Sequence, residues 1–95
     1  MARIYLDHNA STAIADEVRE AMLPFLREHY GNPSTGHWAG RPAAEAVANA
    51  REQVATLIGA KPSEIVFTSC GSESNNLAIK GLLLRAHLNG RTPHV

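Results

Sequence analysis

Between residues 41 and 58 the apolar positions return every third or fourth residue, at Ala43, Val47, Ala50, Val54, Leu57 and Ile58. That spacing gathers them on one face of a helix and predicts a buried stripe over 41–58. Pro42 stands in the first turn, where its missing N–H has no intrahelical partner to lose. Gly59 follows the last periodic residue, where a left-handed C-cap falls. A second helical pattern runs through Val18, Ala21, Met22, Phe25 and Leu26 toward Tyr30. Asp16 is its expected N-cap, with Glu17 beside the positive helix end. Pro24 lies inside this pattern and predicts a kink or an early end.

The remaining segments alternate differently. Arg3-Ile4-Tyr5-Leu6 reads as a short strand stopped by Asp7-His8-Asn9, and residues 10–15 are small and irregular. Residues 31–36, "GNPSTG", are a loop, and Lys61-Pro62-Ser63 is a turn. Residues 64–68, "EIVFT", are apolar and β-branched, which predicts a buried strand. The stretch 72–88 carries leucine and isoleucine on several faces and predicts a largely enclosed helix, ended by Asn89-Gly90. Residues 92–95 look like the start of another strand. A strand followed by a helix places the chain in the α/β class. One such unit cannot complete a parallel sheet, so the chain is expected to be the front portion of something longer.

Composition narrows the function classes. The 95 residues are 44% apolar and 19% charged, a globular balance rather than a disordered one. Nine basic residues match nine acidic ones, which leaves no surplus for a phosphate backbone and argues against nucleic acid as a partner. The longest apolar run, Leu82-Leu83-Leu84, is far below the ~20 residues of a membrane span. The first 20 residues lack the basic start and apolar run of a secretory leader, so a soluble cytoplasmic protein is expected. A single cysteine, Cys70, excludes an internal disulfide or a multi-cysteine metal site. The five histidines, at 8, 29, 37, 87 and 94, show no metal-ligand spacing, and no metal is expected.

Chemistry concentrates in "FTSCGSESNNLAIKG", residues 67–81. Here the chain leaves a predicted strand through small hydroxyl-bearing residues and enters a helix, and open α/β sheets bind ligands at that edge. Gly71 allows close approach or positive φ, Ser72 offers a hydroxyl, and the unpaired N–H groups of the first turn lie beside them. Together they suit a phosphate, although Glu73 is an awkward neighbour for an anion unless it points away. No Gly-Lys-Ser/Thr follows and no GxGxxG is present, so a Walker or dinucleotide loop has no support. A serine-capped helix after a tight turn explains the same residues, and both readings stand. Cys70 could be a thiolate favoured by the helix terminus, or a small turn residue. Lys80 reads as a surface lysine with an apolar stem.

Three blocks together resemble one family. "YLDHNAST" (5–12), "GNPSTGHWAG" (31–40) and "EIVFTSCGSESNNLAIKG" (64–81) occur in the order and spacing found at the start of cysteine desulfurases of the class V aminotransferase family. The resemblance runs over essentially the whole chain. It implies the N-terminal part of a fold-type I, pyridoxal 5'-phosphate-dependent transferase, with residues 1–15 as an N-terminal arm and 16–95 as the start of the large cofactor-binding domain. It implies that Gly71 and Ser72 contact the cofactor phosphate, Ser72 at a position often occupied by threonine. Cys70 matches a position that varies between glycine and cysteine, and it is not the sulfur-accepting cysteine. Asn9, Ala10 and His37 match loop positions near the substrate pocket or subunit interface.

The resemblance further implies L-cysteine as substrate and L-alanine as product. Sulfur would pass through an enzyme persulfide toward iron–sulfur clusters or thio-cofactors, by way of a scaffold or acceptor protein, in a homodimeric enzyme. The Schiff-base lysine, ring-stacking histidine, pyridine-pairing aspartate and persulfide cysteine of that family all fall beyond Val95. No catalytic residue is therefore expected within 1–95, and the segment alone is expected to be inactive. A selenocysteine lyase, another class V enzyme, or a non-catalytic truncated fragment are the competing expectations.

Overall fold

The computed structural model of the chain describes residues 3–92. Its elements are α1 (Asp16–Arg27), α2 (Arg41–Ile58), a single 3-10 turn (Pro62–Glu64) and α3 (Gly71–Leu88). The chain forms two compact units that meet in sequence between Val54 and Ala55.

In the first unit, α1 starts one residue earlier than expected, at the residue predicted to cap it. Ala15 is the N-cap and makes no side-chain cap bond, while Asp16 is already helical. The Asp16 carboxylate instead pairs with Arg19 at 3.0 Å, one turn along an exposed face. Pro24 shortens the helix, as its position in the pattern predicts. The Glu28 and His29 N–H groups both close on the Pro24 carbonyl at 2.9 Å, and α1 stops at Arg27 rather than near Tyr30.

Ahead of α1 the expected strand at residues 3–6 is absent; no strand occurs among the described residues. A lone extended segment has no ladder partner, and strand structure requires one. Its neighbours form a compact turn instead. The Tyr5 hydroxyl lies 2.8 Å from the Asp7 carbonyl and 2.9 Å from that of Ser11, and the Ala10 N–H closes on the Asp7 carbonyl at 3.1 Å. The His8 ring meets the Tyr5 ring edge-on at 5.0 Å.

The loop before α2 folds tightly on itself. The Asn32 side chain accepts the Ser34 N–H at 2.8 Å, while its carbonyl accepts both the N–H and the hydroxyl of Thr35, at 3.1 and 2.7 Å. A Cβ at Gly31 would overlap the Ala39 carbonyl, and one at the buried Gly40 would overlap the Asn32 carbonyl and the Thr35 hydroxyl. Both glycines are therefore demanded by close backbone approach.

Helix α2 has the bounds that its periodicity predicts. At its end Gly59 takes φ +69°, the Ala60 N–H reaches the Ala55 carbonyl at 2.8 Å, and the Gly59 N–H reaches Thr56 at 3.3 Å. This pair of bonds is a Schellman cap. Burial departs from expectation. Ala55, outside the predicted stripe, is 1% exposed, whereas Leu57 and Ile58 within it are 84% and 65% exposed. Among the described residues, no member of the predicted stripe is buried.

The second unit corrects two expectations. Glu64 belongs to the 3-10 turn rather than to a strand, because its carboxylate reaches back to accept the Lys61 N–H at 2.8 Å. Ile65 is extended, with φ −94° and ψ 128°, yet no ladder forms at 65–68 among the described residues. Helix α3 begins at Gly71 and runs to Leu88, one residue longer than predicted at its start. It ends in a second Schellman cap, with Gly90 at φ +67° and the Arg91 N–H on the Ala86 carbonyl at 2.9 Å. None of its residues is buried, and Leu82 and Leu88 are 70% and 74% exposed. The expected enclosure is absent among the described residues. Past Thr92, the strand start expected at 92–95 lies outside the described residues.

Candidate functional site

The turn into α3 is built around four oxygen-bearing side chains in two pairs. On one side, Glu73 Oε2 accepts from both the N–H and the hydroxyl of Ser69, each at 2.6 Å. On the other, the Thr68 hydroxyl lies 2.6 Å from that of Ser74 and 3.2 Å from the Cys70 carbonyl. With Thr68 donating to that carbonyl, the Ser74 hydroxyl is the donor within the pair. The Ser74 N–H also closes on the Cys70 carbonyl, at 3.1 Å.

Cys70 is the extended N-cap residue, with φ −166° and ψ 171°. The N–H groups of Gly71, Ser72 and Glu73 therefore precede the first intrahelical donor, Ser74, and form the unpaired positive end of α3. The exposed Cys70 thiol reports that field. Its pKa is lowered by the Glu73 N–H above all, then by the Ser69 hydroxyl and the Ser72 N–H. No bond of cap geometry joins the sulfur to the helix, so the effect is that of nearby N–H dipoles and of the Ser69 hydroxyl, 3.8 Å from the sulfur, on the thiolate.

Glu73, the residue that sequence alone marks as hostile to an anion, is occupied elsewhere. Its carboxyl is held below the usual range by the Ser69 hydroxyl and then by the Ser69 N–H. Gly71 does not have positive φ, and a Cβ there would meet nothing within 4 Å. Of the two reasons for glycine at this position, only open approach to the backbone remains. Ser72 is exposed beside it; its carbonyl accepts from Asn76 Nδ2 at 2.9 Å, and its hydroxyl takes no part in the Ser69–Glu73 or Thr68–Ser74 pairs.

The roles of Ser69, Thr68 and Ser74 in this turn were not expected from sequence. A Ser-x-x-x-Glu spacing across a strand-to-helix junction is the signal that points to the first pair; it is a variant of the capping box displaced by one residue. His37 lies in the glycine-rich loop, exposed, with Nδ1 accepting the Ala39 N–H at 3.3 Å. That bond leaves the proton of the neutral ring on Nε2. Asn9 and Ala10 lie in the turn organised by Tyr5. Among the described residues, no three metal-ligating side chains come together, and no helix is long and apolar enough to cross a membrane.

Comparison with known proteins gives this turn a lineage. The family model described as aminotransferase class-V matches residues 4–92. The chain belongs to this family. It is 56% identical over 84 residues to a cysteine desulfurase of Trichormus azollae, an alignment covering 88% of this chain and 21% of that protein. It is 46% identical over 85 residues to a selenocysteine lyase of Bos taurus, covering 90% of this chain and 20% of that protein. Among solved structures it is similar to a NifS-like protein, with a TM-score of 0.85, 44% identity, and coverage of 90% of this chain and 24% of the other. The chain thus spans about a fifth of the length of the curated relatives it matches. Class V membership and the NifS-like neighbour bear out the family resemblance in the three sequence blocks.

Proposed function

We propose that this chain is the N-terminal part of a pyridoxal 5'-phosphate-dependent cysteine desulfurase of fold type I, and that the turn at 68–74 receives the cofactor phosphate. The observation that carries this reading is the open start of α3. Three unpaired N–H groups stand at Gly71, Ser72 and Glu73, and a Cβ at Gly71 would meet nothing within 4 Å beyond its chain neighbours and the backbone of its own helix. The Ser72 hydroxyl adds a fourth donor beside them, and the one carboxylate on the turn is engaged by Ser69. These residues fit a phosphate dianion in charge, in donor number and in access.

When bound, the cofactor supplies the electron sink for carbon–sulfur chemistry at L-cysteine. The residues of this chain bind and orient it through backbone donors and one hydroxyl, and they move no proton. Sulfur passes to an acceptor or scaffold protein, and L-alanine is released. In this reading residues 1–15 are an arm, 16–95 begin the large domain, and the whole enzyme is a cytoplasmic homodimer.

The test is cofactor retention by the full-length protein. The wild type is expected to hold pyridoxal 5'-phosphate and form alanine from L-cysteine, while Gly71→Val and Ser72→Ala lose cofactor on dialysis. Retention unchanged in both variants would remove the phosphate role from this turn. A selenocysteine lyase is the second reading, favoured by the 46% identity to the bovine protein. A full-length enzyme that turns over L-selenocysteine but not L-cysteine would establish it.

A further inference from the structure

The turn into α3 contains a contradiction unless one of its bonds has a specific purpose. A carboxylate three residues into a helix normally strengthens the positive end by lying near the first-turn N–H groups. In a site for an anion that same position sets two negative charges on the same donors. Here Glu73 Oε2 is bonded twice by Ser69, to N–H and to hydroxyl, both at 2.6 Å. Ser69 precedes the N-cap residue Cys70, so both donors lie outside the first turn of α3. The pair satisfies the carboxylate without using the Gly71, Ser72 or Glu73 N–H groups. Glu73 is fully exposed, so desolvation is not what holds it there; the two bonds are.

We propose that Ser69 is a positioning residue that tethers the Glu73 carboxylate outside the anion-binding turn and thereby sets the preference of the site for a phosphate-bearing ligand over its uncharged counterpart. The inference rests on the phosphate-binding reading of this turn. Losing the hydroxyl leaves Glu73 a single tether, the Ser69 N–H. The freed carboxylate is then drawn to the nearest unpaired donors, which are those the phosphate requires. Repulsion between the carboxylate and a dianion at a few ångströms is large, even at the effective dielectric of a protein surface. The harm done by removing Ser69 therefore comes through the charge on Glu73, and it disappears when that charge is removed.

The experiment titrates the cofactor-free full-length protein with pyridoxal 5'-phosphate and, separately, with pyridoxal, following ligand absorbance. Ser69→Ala is expected to weaken pyridoxal 5'-phosphate on the order of tenfold while leaving pyridoxal unchanged. Ser69→Thr, which keeps the hydroxyl, is expected to behave as wild type. Glu73→Gln alone binds the phosphate ligand at least as tightly as wild type, and Ser69→Ala with Glu73→Gln recovers the lost affinity. A merely structural serine would weaken both ligands together and would not be rescued at Glu73. Equal loss for the two ligands, failure of rescue, or no loss in Ser69→Ala each overturns the tether. A wild-type protein that binds pyridoxal and pyridoxal 5'-phosphate equally overturns the phosphate reading itself, so the two failures are distinguishable.

Discussion

The hydroxyls of Thr68 and Ser74 meet at 2.6 Å across the start of α3, and the Cys70 carbonyl accepts from both residues, at 3.2 Å from the Thr68 hydroxyl and 3.1 Å from the Ser74 N–H. The segment entering the turn and the first turn of the helix are thereby bonded to one carbonyl. This fixes the N-cap before any ligand arrives, which lowers the ordering cost of binding.

Thr68→Val keeps the shape of the side chain and removes both hydroxyl bonds. Each such bond contributes about 0.5–1.5 kcal/mol, and at an exposed site water replaces part of it. The expected result is faster amide exchange at Ser74, whose N–H shares the Cys70 carbonyl, with little change in the centre of α3. Unchanged exchange at Ser74 would show that the Thr68–Ser74 pair adds nothing to the cap.

Gly40 is the second place where the local structure leaves no freedom. Its Cβ would fall on the Asn32 carbonyl and the Thr35 hydroxyl, and the backbone carbonyl cannot rotate away as a side-chain tip could. Gly40→Ala is expected to destabilise the protein by about 1–3 kcal/mol, the usual range for overpacking. Gly36→Ala, four residues earlier with nothing within 4 Å of its Cβ, serves as the matched control and is expected to be near neutral. Urea denaturation of the two variants reads the difference directly.

Much of this was legible in the sequence, and the division follows the range of the interactions. Helix α2, its first-turn Pro42 and its terminal Gly59 depend on residues a few positions apart, so pattern and propensity suffice. The early end of α1 follows from Pro24 for the same reason. Burial of the stripe at Leu57 and Ile58, enclosure of α3 and a ladder at 65–68 require surfaces far away along a chain, and no 95-residue pattern provides them. At the site, Ser72 stands in the first turn of α3 as the sequence predicts, whereas Gly71 is already helical rather than part of the preceding turn. The Glu73 carboxylate was not legible, because its direction depends on Ser69, and turn residues offer several bonding partners at once.

Tyr5 organises the N-terminal turn with one hydroxyl near two carbonyls, those of Asp7 and Ser11. Tyr5→Phe retains the ring and its edge-on contact with His8, so any effect belongs to the hydroxyl. Amide exchange at Ala10 and Ser11, whose N–H groups both point to the Asp7 carbonyl, is expected to rise several-fold, consistent with loss of about 1 kcal/mol. Exchange in α2 is expected to remain as in wild type. A rise spread across both would mean that the turn is not a local unit.

The Cys70 thiol gives the site a titration of its own. Its pKa is lowered chiefly by the Glu73 N–H, with smaller contributions from the Ser69 hydroxyl and the Ser72 N–H, so the folded chain favours thiolate. The sign follows from that direction. The stabilisation is present above the unfolded pKa of about 8.5 and is lost as pH falls through the lower folded value. Alkylation by iodoacetamide should therefore reach half its maximal rate at a pH below that of an unfolded cysteine. Ser69→Ala removes one of the lowering groups and should move this midpoint upward. Two of the groups acting on the sulfur, the Ser72 and Glu73 N–H, are also those assigned to the phosphate. Pyridoxal 5'-phosphate bound to the full-length protein is thus expected to slow alkylation and raise the midpoint, whereas pyridoxal is not. A midpoint indifferent to the phosphate-bearing ligand would mean that thiolate and phosphate do not share donors at this turn.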